Sequence, residues 1–299
     1  MKAKVEINSE TCNGFGLCVD VCPMGIPHLI PKQADQAMIE LPADRLHTCM
    51  QCGHCMAICP SKSISVEGLS YEKHFFDLPK DAIDANAFID LLTSRRSIRV
   101  FEDTPVPRES LQKIVDAISL APMGYPPSKV EVIVVQNRDT IEQTLPLMVK
   151  LYEGLAQNME NPIARFFIRR KVKPEAFTAL RHHVLPSLKH RLPEMNAGQG
   201  DTITRGAPAM LLFHAHRESG SHTEDVFIAL TYGLLAAHAL GLGATAIGLT
   251  PPAIERVPEL RAMFQIPPEN EVLTSMIVGY PKYRFKRGIR RELGGVRWM

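Results

Sequence analysis

Residues 94–135 read SRRSIRVFEDTPVPRESLQKIVDAISLAPMGYPPSKVEVIVV. A basic cluster comes first. The run PRESLQKIVDAISLA then places Pro107 near a first helical turn, Glu109 beside it, and Leu111, Ile114, Val115 and Ile118 on one face. After the turn PMGYPPS comes VEVIVVQN, a short β-branched run expected to be a buried strand. Upstream, NAFIDLLTSR shows helical apolar spacing at Phe88, Leu91 and Leu92. Downstream, PAMLLFHAH and TSMIVGY read as strands, and EDVFIALTYGLLAAHAL reads as a long buried helix with Gly241 just past its end. Helices interleaved with strands predict α+β or α/β packing.

The whole chain has 299 residues, 45% hydrophobic and 22% charged, enough for one large domain or two ordinary ones. A net charge of +2 gives no reason to invoke nucleic acid or a membrane as partner. The start, MKAKVEINSE, has no apolar core of a signal peptide. The most apolar run carries His238 and ends in glycines, which argues for a core or interface helix over a membrane span. A cytoplasmic location is the expectation.

All seven cysteines fall between positions 12 and 59. Disulfides of a secreted fold would not crowd into one fifth of a chain, so a metal or cluster site fits better. The composition shifts near residue 70, which suggests a cysteine-rich domain over 1–70, a linker over 71–85 and a helix–strand domain over 86–299. CMQCGHCMAICP supplies Cys49, Cys52, Cys55 and Cys59 with Pro60 behind, the spacing of a bacterial ferredoxin run; zinc is the blander use of such cysteine pairs. CNGFGLCVDVCP, from Cys12 to Pro23, has the same spacing with Phe15 in place of one cysteine.

Residues 3–68 resemble the two-cluster bacterial ferredoxins. The resemblance implies crossed ligand sets: Cys22 with Cys49, Cys52 and Cys55 around one 4Fe–4S cluster, and Cys12, Cys18 and Cys59 around the other. Phe15 leaves the second set one thiolate short. This implies a three-iron cluster or a four-iron cluster with a non-cysteine ligand, unless that site is empty and Phe15 simply packs.

The motifs of 94–135, with GAPAMLLF, HALGLGATAIG, VGYP and a basic tail behind them, resemble the nitroreductase family of FMN flavoproteins over about residues 88–299. The resemblance implies an α+β sandwich with a central mixed sheet flanked by helices. It puts Arg95, Arg96 and Ser97 at the FMN phosphate and ribityl chain, and Arg99 at the pyrimidine edge of the ring. Pro122, Met123, Gly124 and Tyr125, and then Ala246, Ile247 and Gly248, would lie along the ring. Pro126 and Ser128 replace the family's usual polar residues, so contacts from 122–125 are expected through backbone. From the tail, Arg290, and after it Arg287, would return to the phosphate. Guanidinium groups suit phosphate because they bind it through two hydrogen bonds.

GLGATA, residues 241–246, matches a dinucleotide fingerprint but follows a helix and precedes a strand, the wrong order for one. The insert 165–191 carries eight Lys and Arg against Glu175 alone, suited to steering an anionic substrate or to a solvated helix pair. His182, His183 and His190 are available as proton donors, and no catalytic residue is assigned. Taken together, the two resemblances imply an oxidoreductase whose clusters feed FMN. The FMN would reduce a nitro, quinone or other conjugated small-molecule acceptor. Electrons would come from NAD(P)H, from external ferredoxin or from another low-potential donor. A homodimer is expected, with residues 224–240 supplying the seam. The alternative is an electron carrier or redox sensor with no substrate of its own.

Overall fold

The computed structural model describes residues 4–30, 38–80, 83–124, 127–198 and 200–299. The chain divides into two compact units, Met1–Ala82 and Ile83–Met299.

The first unit is built twice over. Strand β1 (Val5–Ile7) pairs antiparallel with β4 (Ile64–Val66), and β2 (His28–Ile30) pairs antiparallel with β3 (Met38–Glu40). Helices α1 (Leu17–Asp20) and α2 (His54–Ile58) each begin on a glycine, Gly16 and Gly53, at φ 75° and ψ −1°. An L side chain adopts that left-handed geometry only at a cost. At Gly16 an added Cβ would also stand 2.5 Å from Leu29 Cδ1. Val5, Met56, Ile64 and Val66 form a small core. The first residues of the stretch read as a linker pack on this unit: Tyr71, in α3 (Tyr71–His74), donates its hydroxyl to Ile64 O at 3.0 Å, and Phe75 lies against its ring.

The second unit holds a four-stranded sheet in the order β5-β6-β8-β7, formed by β5 (Glu131–Val135), β6 (Ala209–His216), β7 (Gly243–Ile247) and β8 (Asn270–Gly279). All named pairs are antiparallel. The parallel element of the sheet is a single bridge from Ser97 to Ala244 on the outer edge of β7. Side chains of β6 alternate between two cores, as the pleat requires: Met210 and Leu212 on one face, Leu211 and Phe213 on the other. Helices α6 (Arg138–Glu160), α12 (Thr250–Arg256) and α13 (Pro258–Met263) cover the first face. Helices α5 (Arg108–Ser119) and α11 (His222–Ala239) cover the second. The insert after α6 folds as α7 (Pro162–Lys171), α8 (Pro174–Ala179), α9 (Leu185–Lys189) and α10 (Leu192–Asn196).

Two expectations are corrected. VEVIVVQN is not a fully buried strand: β5 lies at the sheet edge, so Glu131 and Val134 face outward. The long apolar helix is not fully buried either. Phe227, Ile228 and Tyr232 of α11 are exposed, as are Phe88, Ile89 and Leu92 of α4 (Ala85–Ser94), which packs against α11. Apolar residues all round a helix need a cover on every side, and this chain covers only part of this one. Among the described residues, no helix is long and apolar enough to cross a membrane.

Candidate cofactor sites

In the first unit the fold gathers the cysteines into two sets. Burial pushes the Cys55 thiol up to about 12, and the neighbouring Cys52, Cys49 and Cys22 push the same way. Cys49 is raised by burial and then by Cys52 and Cys22. Cys18 is raised by burial, with Cys12 and Cys59 adding to it. The residues that crowd one another are therefore Cys22, Cys49, Cys52 and Cys55 in one set and Cys12, Cys18 and Cys59 in the other. Several thiolates held together repel unless cations sit among them, so the donor set fits iron–sulfur groups. Among the described residues, no three His, Cys, Asp or Glu side chains are grouped to hold a single metal ion.

Donors to sulfur complete the fit. Ile26 N donates to Cys22 Sγ at 3.4 Å, and Ser63 N donates to Cys59 Sγ at 3.3 Å. Burial works to raise Cys59, but the bonds from Ser61, Ser63 and Ile64 outweigh it and leave the thiol below its usual range. Tyr71 stands beside both sets. Burial first, then Cys59 and Cys55, push its hydroxyl up to about 12. Phe15 follows the pattern of Cys52, one residue before the left-handed glycine, and is 67% exposed, so it fills no core.

In the second unit Ile98 N donates to Ala244 O at 3.2 Å, which lays residues 97–99 along β7. Gly243 permits this approach, because a Cβ there would stand 2.7 Å from Ile98. Arg96 turns back: Nη1 donates to Arg95 O at 2.7 Å and Nη2 to Thr93 O at 2.6 Å, while Nε is buried with no partner. The basic tail returns to this point, since a Cβ on Gly288 would lie 2.9 Å from Arg96 Nη2. Arg287 and Arg290 flank that contact and are exposed. His238 and Ser94 join Arg96 around a 290 Å³ cavity, with His238 Nε2 2.8 Å from Ser94 Oγ. Burial, then Arg95 and Arg96, lower the basicity of His238. An orphaned buried donor among cations under a glycine suits an anionic group such as a phosphate.

Ala246 on β7 and Gly248 just past its end are exposed, and a Cβ added to Gly248 would meet nothing. A planar ring has room there. The side chain of Ile247 instead enters the core, so it can offer a ring only backbone. The turn 122–128 lies elsewhere. Gly124 N donates to Asp225 Oδ1 at 2.6 Å and Ser128 N donates to Asp225 Oδ2 at 3.2 Å. Pro122 and Met123 are exposed, and Tyr125 and Pro126 lie outside the described residues. Asp225 near the start of α11 and His238 near its end stand about 20 Å apart along the helix. The structure thus gathers Arg95, Arg96, Ser97 and the tail at one end of α11 and the Gly124 turn at the other. Asp225 was missed in the sequence because an acid in a first helical turn reads as a partner of the helix dipole. Its burial at 1% exposure marks it as structural to that turn.

Comparison with known proteins agrees with both halves. A model of the nitroreductase family matches residues 92–280, and a model of the 4Fe-4S dicluster domain matches residues 11–64. The chain is 26% identical over 204 residues to the FMN reductase (NAD(P)H) of Bacillus subtilis, covering 67% of this chain and 68% of that protein. It superposes on a nitroreductase with bound FMN from Bacteroides fragilis with a TM-score of 0.53 at 19% identity, over 72% of this chain and 100% of that one. For a nitroreductase with bound FMN from Desulfitobacterium hafniense the TM-score is 0.52 at 19% identity, over 71% and 97%. The two solved structures share the fold with the second unit, whose antiparallel sheet and flanking helices the family model spans almost entirely. The chain therefore belongs to the nitroreductase family and carries a 4Fe-4S dicluster domain ahead of the family domain.

Proposed function

We propose that this protein is an FMN-dependent iron–sulfur oxidoreductase that reduces a nitro, quinone or other conjugated small-molecule acceptor. The observation that carries this reading is the pairing, in one chain, of two crowded cysteine sets with a cationic, glycine-backed recess beside the open edge of β7. When bound, the clusters supply one-electron transfer and FMN supplies delivery of an electron pair to the acceptor.

The chain's own residues have these roles. Cys22, Cys49, Cys52 and Cys55 hold a 4Fe–4S cluster. Cys12, Cys18 and Cys59 hold a second cluster, three-iron or completed by a ligand other than cysteine. Arg95, Arg96, Ser97 and one of Arg287 and Arg290 hold the FMN phosphate, and the backbone at Ala246–Gly248 lies along the ring. Arg99 places a positive charge at the pyrimidine edge, which favours negative charge there.

The protein acts as a homodimer. A two-fold axis that pairs α11 antiparallel with its copy covers Phe227, Ile228 and Tyr232. It also brings the Gly124 turn of one copy to the Arg96 end of the other. The electron donor is an external ferredoxin or a comparable low-potential carrier, with NAD(P)H as the alternative; the Bacillus relative's name favours the latter for that protein.

Anaerobic purification with iron and flavin quantitation and electron paramagnetic resonance tests the reading. One FMN per chain and two distinguishable iron–sulfur signals are expected. Protein with neither flavin nor iron sinks it.

A further inference from the structure

A cavity of 580 Å³ lies between α6, α10 and the turn before β6. Its wall is partly apolar, with Ile141, Leu145, Val149 and Met195. Its charged lining is Arg138, Glu142, Asp201 and Arg205. Arg138 is spoken for: it pairs with Asp103 and, at 2.9 Å, with Glu142. Asp201 is spent on its own turn. It accepts from Ile203 N at 2.9 Å, Thr204 N at 2.8 Å and Gly206 N at 2.9 Å, and from the Thr204 hydroxyl. Arg205 is the charge left over. Among the described residues its side chain has no hydrogen bond or ion pair, and its Nε is buried without a partner.

Two further facts point the same way. Arg205 sits at φ 61°, a left-handed conformation that a residue with a side chain keeps only when its surroundings enforce it. The turn around Asp201 does so, and aims Arg205 at the cavity. Cations also lie close by. Burial lowers the Arg205 pKa, Arg191 and Arg99 lower it further, and Asp201 opposes them least. A partly buried guanidinium without a counter-ion is costly, and neighbouring cations raise that cost. An anion entering the cavity would relieve it.

We propose that this cavity takes the acceptor, that Arg205, backed by Arg99 and Arg191, is its anion subsite, and that the acceptor is a planar molecule carrying a carboxylate. The inference rests on the reading of this unit as a reductase of conjugated acceptors, and it adds the acceptor's charge. The apolar wall takes the ring, and the guanidinium takes the carboxylate through paired hydrogen bonds. The FMN phosphate is a second possible source of an anion, so the test separates the two.

Titration calorimetry on the full-length holoprotein, with 4-nitrobenzoate and 4-nitrobenzamide as probes, reads the subsite without turnover. Wild type is expected to prefer the carboxylate by about tenfold or more. Arg205→Gln should lose that preference, Arg205→Lys should keep part of it, and FMN content should stay at one per chain in both. Three results overturn the proposal: no preference in wild type, equal weakening of both probes in Arg205→Gln, or loss of FMN from that variant, which would assign the guanidinium to the cofactor. FMN content of wild type is measured on the same sample. A flavin-free wild type would sink the reductase reading, while the probe preference would still support or overturn the subsite.

Discussion

Asp225→Ala is expected to destabilise the second unit by about 2–5 kcal/mol and to empty it of flavin. The carboxylate is buried at 1% exposure and accepts from the amides of Gly124 and Ser128. Deleting it leaves both donors without a partner, and each unsatisfied buried donor costs about 1–3 kcal/mol. The turn cannot settle closer to α11 in compensation. Gly124 is already so near Ser221 that an added Cβ would stand 2.6 Å from its side chain. For a domain of this size the loss lowers the melting temperature by roughly 5–15 °C. Asp225→Asn is the sharper variant, because it keeps the shape but turns an NH₂ toward an amide N–H. Calorimetric melting and flavin absorbance check both. A melting point within about 2 °C of wild type with full flavin would show that the turn does not depend on this residue.

Cys55→Ala is expected to unfold the first unit and leave the second standing. Among the described residues, the first unit's buried hydrophobic side chains are few: a cluster of Val5, Met56, Ile64 and Val66, with Ile26 and Ile39 apart from it. A domain that small depends on staples, and metal binding then becomes folding free energy. Cys55 is half-buried and crowded by Cys52, Cys49 and Cys22. Limited proteolysis should cut the variant within residues 1–82 and spare 83–299, whose two cores lie either side of a continuous sheet. Reduction of FMN by a low-potential protein carrier should cease. Full turnover with NADH in this variant would overturn the reading that electrons enter through the cysteines.

The sequence made legible what is local. Cysteine spacing is set by one tight loop, and it announced both cysteine sets, including the gap at Phe15. The β6 and β8 strands and α5 followed from runs and spacing that a short window contains. What escaped was decided at long range. Asp225 reaches Gly124 across 101 positions, and no window holds both. The edge position of β5 depends on sheet order, which VEVIVVQN does not encode. Nor does SRRSIR say that Arg96 turns back onto Thr93 and Arg95. That shape is seen only beside the returning tail, where Gly288 packs against the Arg96 guanidinium.

The length of α11 has a consequence for inheritance. If one pocket needs the Arg96 end of one copy and the Gly124 turn of the other, two different loss-of-function alleles need not behave as losses together. A chain broken at Arg96 and a chain broken at Asp225 would pair into a mixed dimer. One of its pockets collects both defects and the other collects neither. Co-expressed, the two alleles would complement one another, whereas two lesions at the same end of the helix would not.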